Sequence, residues 1–144
     1  MRHERIGWRR NAGRAVGALA LALAACGEPA GDSAMAGGVT TMTASELAEQ
    51  ISRGDAPLIL DVRSDEEYDA GHIPGALHIP HDQLADRLGE IGAGKGDPIV
   101  VHCHSGRRAQ TAEEILTQAG YSDVRDLEGH IVGWQDGGYP IETP

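Results

Sequence analysis

Cysteine is scarce in this 144-residue chain, which has two, Cys26 and Cys103. Two thiols cannot make the disulfide framework that staples a small secreted domain. Long hydrophobic runs are missing as well. The apolar stretch Ala15–Ala25 falls well short of the roughly 20 residues needed to span a bilayer as a helix. Positive charge is thin, with 12 Lys and Arg against 22 Asp and Glu and a net charge of −10. That balance argues against nucleic acid as a partner. Metal-ligand spacings such as CxxC or HExxH do not occur, and the sequence implies no metal and no cofactor. No internal repeat or second domain is visible, and the length suits one domain.

What is present begins with a leader. Met1–Arg14 carries five arginines against one acid, and the short Ala/Leu-rich stretch Ala15–Ala25 follows. A basic segment, a short apolar segment and small residues at its end describe a secretory signal. The end itself, Leu23-Ala24-Ala25-Cys26, resembles the lipobox of bacterial lipoproteins. That resemblance implies removal of residues 1–25 and attachment of lipid to the Cys26 sulfur. The expected location is the cell envelope, on its periplasmic or extracytoplasmic face, with the lipid on Cys26 as the membrane contact. Residues 26–38 then form a Gly- and Ala-rich tether with little to bury. The chain after residue 25 retains seven basic and 21 acidic residues, a net −14. Long-range attraction of an anionic substrate is therefore absent. Screening over about 8 Å at physiological salt leaves local charges to decide binding at contact.

The folded domain spans 39–144, and its elements announce themselves in order. Thr43 with Glu46 makes a capping box ahead of the stripe Leu47, Ala48, Ile51, and Gly54 stands where that helix ends. Pro57–Val62 reads as a strand buried on both faces. Ser64 with Glu67 caps a second, short helix closed by Gly71. Ala76–Ile79 is a short strand stopped by Pro80, and Leu84, Leu88 and Ile91 recur at helical spacing. Ile99–His102 is the central strand. Ala112, Ile115, Leu116 and Ala119 stripe a third main helix with Gly120 after it. Asp123–Leu127 is a last strand, and Gly129–Asp136 a final short helix with Trp134 turned inward. Strands alternating with helices predict an α/β fold, a mainly parallel sheet covered by helices on both faces. Ligands in such sheets sit beyond the carboxyl ends of the strands.

Cys103 lies at one of those ends, in Val101-His102-Cys103-His104-Ser105-Gly106-Arg107-Arg108. A strand, a tight polar loop and a helix start here aim main-chain N–H groups and the helix's positive end at the loop. Those dipoles, with Arg107 and Arg108, are expected to lower the Cys103 pKa and make its sulfur a nucleophile. With Cys26 acylated, Cys103 is an unpaired thiol outside the cytoplasm, open to oxidation, which favours a chemical role over packing.

Five segments then resemble the rhodanese-like sulfurtransferase family: Asp61-Val62-Arg63 with Glu66-Glu67-Tyr68; Gly71-His72-Ile73-Pro74-Gly75-Ala76; Cys103–Arg108; Ala119-Gly120-Tyr121; and Leu127-Glu128-Gly129 with Trp134. They stand in order across Val39–Pro144. One departure is His130, where the family has a second glycine, and it affects local loop geometry. The resemblance implies the three-layer rhodanese-like fold and a persulfide on Cys103. The sulfane sulfur would come from thiosulfate or a similar small anionic donor and pass to a thiol or cyanide acceptor. Loop groups of His104, Ser105, Gly106, Arg107 and Arg108 would cradle the sulfur, with Gly106 letting the backbone curl. Arg108, aided by Arg107, would hold the donor's oxygens, and Ser105 would hydrogen-bond the persulfide. His72 would support the loop from behind by orienting backbone; apart from the resemblance, Asp61 and Arg63 read either as an ion pair supporting the loop or as an ordinary exposed pair.

The alternatives are a persulfide carrier or non-catalytic binding module and, with less support, a phosphatase or arsenate reductase. The last two need His-Cys, five residues, then Arg; here that position is Ala109. Among other polar residues, His102 and His104 flank Cys103, but no CxxC or HExxH spacing completes a site around them, which argues against a metal. His78, His81 and His130 are expected at the surface or in loops. The run Asp65-Glu66-Glu67 is read as a helix N-terminal charge cluster that needs no partner.

Overall fold

Residues 38–144 are described in this computed structural model. The expected leader, Cys26 and the tether as far as Gly37 lie outside the described residues. Ten elements follow. β1 (Thr40–Met42) leads into α1 (Ala44–Arg53), whose capping box of Thr43 and Glu46 forms as the sequence predicts. Gly54 ends α1 in the left-handed conformation, φ 75°. β2 (Leu58–Asp61), α2 (Asp65–Asp69) and β3 (Leu77–His78) come next. α2 is a little over one turn and owes its existence to the Ser64–Glu67 capping box. After β3 lie β4 (Ile99–His102), α3 (Arg107–Gln118), β5 (Val124–Leu127) and α4 (His130–Asp136).

The five strands form one sheet in the order β1-β5-β4-β2-β3, and every pairing is parallel. Alternation along the strands divides the core in two. Leu60, Ile99, Val101 and Cys103 face Ala109, Ala112 and Leu116 of α3. Ile59, Val100 and Leu127 face Leu47 of α1 with Ile131 and Trp134 of α4. Helices thus cover both faces, giving the expected three layers. Trp134 is core, and its indole N–H donates to the Pro140 carbonyl at 2.8 Å.

The topology also places a crevice. The chain leaves β2 toward β3 in one direction and leaves β4 toward β5 in the other, although β2 and β4 are neighbours. Connections that part in this way open a cleft beyond the carboxyl ends of the two strands. Asp61–Arg63 and the Cys103 loop stand at that end.

Two sequence expectations change. Leu84, Leu88 and Ile91 do not lie on an α-helix: residues 81–86 are turns and Leu88–Glu90 is a single 3₁₀ turn. Most backbone bonds run three residues back, Gln83 to Pro80, Asp86 to Gln83, Glu90 to Arg87 and Ile91 to Leu88, with a lone four-residue bond from Arg87 to Gln83. Pro80 and Gly89 bracket a segment too short to repay helix nucleation. Leu84 and Ile91 are nevertheless buried, so the apolar spacing marks a face and not a helix. The other change is β1, which the sequence does not announce. Its three residues are extended because they pair with Arg125–Leu127 at the sheet edge.

Candidate active site

β4 ends at His102, and Cys103 follows with 1% exposure. Its side chain takes the alternation of Ile99 and Val101 and faces the α3 layer. The loop then closes fast. Gly106 adopts φ 109°, a conformation that L side chains rarely take, and serves as the N-cap of α3. That curl brings the Gly106 N–H onto the Cys103 sulfur, 3.0 Å from Sγ. The thiol is buried, yet a main-chain donor is directed at it. The unpaired first-turn amides of α3 begin at the next residue.

Ala109, the place a phosphatase would need arginine, is fully buried against the same core as Cys103. Arg107 and Arg108 are not loop residues; they open α3. Arg107 and Ser105 are exposed, as is His104. His104 borders a cleft of about 230 Å³ with Arg63, Glu67, Gly71, Ile131 and Gln135.

Arg108 reaches back to α2. Its Nη2 lies 2.9 Å from Glu67 Oε1, and Nη1 pairs with Oε2. The guanidinium pulls the Glu67 carboxyl down to about 2. In turn the Arg108 pKa is raised, chiefly by Glu67 and in smaller part by the nearby Cys103 sulfur. Glu67 therefore has a partner, contrary to its reading as a member of a simple charge cluster. It also accepts from the Ser64 N–H at 3.2 Å as the N3 residue of α2. The family segment held Glu67, but nothing local signals a contact with a residue 41 positions on.

Below the cleft, Asp61 and Arg63 form a buried ion pair. Arg63 Nη2 is 2.6 Å from Asp61 Oδ2, with exposures of 4% and 0%. Asp61 also accepts from the Arg63 backbone N–H and from Nε. Arg63 Nη2 donates further to the Gly71 carbonyl at 2.9 Å. His72 follows Gly71, is buried, and acts through backbone: it exchanges two main-chain bonds with Glu142 and stacks on Tyr68 at 3.8 Å. Asp61, Arg63 and Gly71 thus tie the end of β2 to the segment that walls the cleft.

His102, opposite Asp61 in register, is fully buried on the other side of the strand from Cys103. Burial pushes its pKa down to about 4, so it is neutral near pH 7. Its Nε2 stands 3.6 Å from Asp61 Oδ2 without a hydrogen-bond partner, and the contact is not an ion pair. Among the described residues, no cluster of three His, Cys, Asp or Glu could hold a metal ion.

The histidine expectations need correction at two places, His78, which lies in β3, and His130. His78 is half-buried, its ring against Tyr68 and its Nε2 3.0 Å from the Arg63 carbonyl oxygen. His130, expected at the surface or in a loop, is the buried first residue of α4. Its ring packs on Gly106, where an added Cβ would meet Nε2 at 2.7 Å. The neighbouring Ile131 N–H donates to the Cys103 carbonyl at 3.1 Å.

This geometry agrees with what the chain is similar to. The rhodanese-like domain family matches residues 43–137. The chain belongs to the rhodanese-like family. A sulfurtransferase of Allochromatium vinosum is 33% identical over 106 residues, 74% of this chain and 97% of that one. The thiosulfate sulfurtransferase GlpE of Pseudomonas putida is 33% identical over 98 residues, 68% and 86% of the two chains. The HTH-type transcriptional regulator Rv0324 of Mycobacterium tuberculosis is 40% identical over 103 residues, and the match spans only 44% of its length. Among solved structures, the rhodanese-related protein of Thermoplasma volcanium superposes with a TM-score of 0.63 at 30% identity, covering 73% of this chain and 99% of that one. The Alr3790 protein of Anabaena gives a TM-score of 0.66 at 32% identity, over 72% and 82% of the two chains.

Proposed function

We propose that this rhodanese-like domain is a sulfurtransferase that moves a sulfane sulfur from thiosulfate, or a similar small anionic donor, to a thiol or cyanide. The observation that carries this reading is the Gly106 N–H set 3.0 Å from the Cys103 sulfur at the end of the central strand. In the first half-reaction the thiolate attacks the outer sulfur of thiosulfate. A Cys103 S–S bond forms, the donor's S–S bond breaks, and sulfite leaves with the bonding electrons. In the second, cyanide or a thiolate attacks the outer persulfide sulfur, and Cys103 recovers the electron pair as thiolate. The Gly106 amide and the first-turn amides of α3 support the charge on sulfur through both steps, as amide donors support an oxyanion.

The donor's oxygens are held by Arg108 and Arg107, in different ways. Glu67 occupies one N–H of each terminal nitrogen of Arg108. Nε–H and the remaining N–H groups stay available in the guanidinium fork, with the charge offset. Exposed Arg107 supplies positive charge that no salt bridge among the described residues cancels. Burial of Cys103 supports a small donor. The turn from Cys103 to α3 lacks the arginine that a phosphatase loop requires, since Ala109 is in the core.

Incubation of the protein with thiosulfate, followed by intact mass, tests the reading. One sulfur gained by the wild type and none by Cys103→Ala is expected. No gain, or equal gain in the variant, overturns it. Loss of that sulfur to cyanide or a thiol with multiple turnovers marks an enzyme; a single stoichiometric release marks a carrier. On the sequence of residues 1–26, the domain is held at the bacterial cell envelope by lipid on Cys26. Incorporation of an alkyne fatty acid by the wild type and its loss in Cys26→Ser is the expected result.

A further inference from the structure

His130 is the one non-glycine residue with positive φ among the described residues, at 51°. A side chain in that region costs about 1–2 kcal/mol relative to glycine and persists where surrounding contacts enforce it. The contacts here are specific. One edge of the ring meets Gly106, whose absent Cβ would lie 2.7 Å from Nε2. The other edge faces β5, with Nδ1 3.6 Å from Asp126 Oδ1. Behind Asp126 stands Glu113 of α3, 8% exposed. Burial and the Asp126 carboxylate push the Glu113 carboxyl up to about 7. Nδ1 of His130, Oδ1 of Asp126 and Oε1 of Glu113 are all buried without a hydrogen-bond partner among the described residues. Three elements thus bring three polar side chains together, with the His130 ring of the group set against Gly106. The other titratable groups facing the cluster are Glu114 on α3 and His102 on β4.

We propose that His130 is a positioning residue for the sulfur-transfer site: wedged between Asp126 and Gly106, it holds the Gly106 N–H on the sulfur of Cys103. The proposal rests on Cys103 being the reacting atom. Asp126, its Oδ1 3.6 Å from Nδ1, flanks the ring on the β5 side, and Glu113 stands behind it. The bare Cα of Gly106 rests against Nε2, and the loop cannot turn its amide away without leaving that contact. The backbone at His130 also sets the next N–H, that of Ile131, on the Cys103 carbonyl at 3.1 Å. Cys103 is therefore held through both its sulfur and its carbonyl by residues that His130 orients.

The test uses the full-length protein and two readouts. Alkylation of Cys103 by iodoacetamide, followed on its own peptide by mass spectrometry from pH 5 to 9, reports the support of the thiolate with no sulfur donor present. Steady-state transfer from thiosulfate separates kcat from KM. His130→Gly removes the ring and relieves the backbone, so folding is retained. It should slow alkylation at pH 7 at least threefold, move the alkylation midpoint to higher pH, and cut kcat about tenfold with KM within twofold. His130→Asn, which tolerates positive φ and still reaches toward Asp126, should fall between the two. Wild-type alkylation and turnover in His130→Gly overturn the proposal, as does a rise in KM with kcat unchanged. A shifted alkylation profile in a protein that transfers no sulfur would sink the sulfurtransferase reading and leave the positioning role standing.

Discussion

Replacing Gly106 with alanine tests the loop at its tightest point. The added Cβ would arrive at φ 109°, where a non-glycine residue costs about 1–3 kcal/mol. It would also stand 2.7 Å from His130 Nε2. That side chain is 11% exposed and wedged against Asp126, so it cannot swing aside freely. The loop must yield, and the bond it loses is the 3.0 Å contact from Gly106 N–H to Sγ. Removing one preorganised amide from a developing charge slows comparable reactions by about 10²–10³. The strain alone, taken as about 2 kcal/mol, lowers the melting temperature of a domain this size by roughly 10 °C. Persulfide formation in a single turnover, measured well below that lowered melting point, should therefore fall at least 100-fold. Retention of a third or more of the wild-type rate would refute the claim that this amide supports the sulfur. The double variant Gly106→Ala/His130→Gly adds a control. If the two residues act through their contact, its loss is smaller than the two single losses combined.

Three further substitutions test the charged groups that support the site. Glu67→Gln keeps a residue able to complete the α2 capping box but unmasks Arg108. At a separation of about 8 Å it removes roughly 1–2 kcal/mol of repulsion from an anionic donor, so KM for thiosulfate should fall severalfold in steady-state assays. Because Glu67 is held near 2 in the folded protein, its pairing is complete above about 4.5 and is lost as pH falls toward 2. Acid unfolding of Glu67→Gln, followed by circular dichroism, should be correspondingly less steep in that window. Glu113 has the opposite sign: its folded value of about 7 means that its contribution is full below about 4.5 and lost as pH rises through 7. Glu113→Gln should then gain melting temperature over the wild type at pH 8 and little at pH 5. Asp61→Ala leaves the Arg63 guanidinium buried without its counter-ion, a loss of about 3–5 kcal/mol, and calorimetry should show melting more than 10 °C lower.

The parts legible in the sequence are those whose causes are local. Thr43–Glu46 and Ser64–Glu67 form capping boxes because the partners lie three residues apart. Leu58–Asp61 and Ile99–His102 read as buried strands because short apolar runs, set among helical stretches, suit a doubly covered parallel sheet. The Cys103 loop was visible for the same reason, since strand end, cysteine, glycine and helix start fall within a few residues. What was not legible depends on the far ends of the fold meeting. Glu67 satisfies its local rule as a cap, and that sufficiency hides its second role on Arg108, 41 residues away. Leu84, Leu88 and Ile91 obey helical spacing, yet Pro80 and Gly89 leave room only for turns.

His130 is the sharper case. Its residue type says surface or loop, while its position, directly after Gly129 at the start of α4, is set by a left-handed backbone that glycine would adopt without cost. Only the folded chain shows what replaces that freedom: a ring filling the space beside Gly106 that the missing Cβ leaves open. One glycine must therefore stay bare for a side chain on another helix to reach it. The departure from the family pattern at residue 130 and the glycine in the cysteine loop become a single constraint, which explains why the two substitutions should couple.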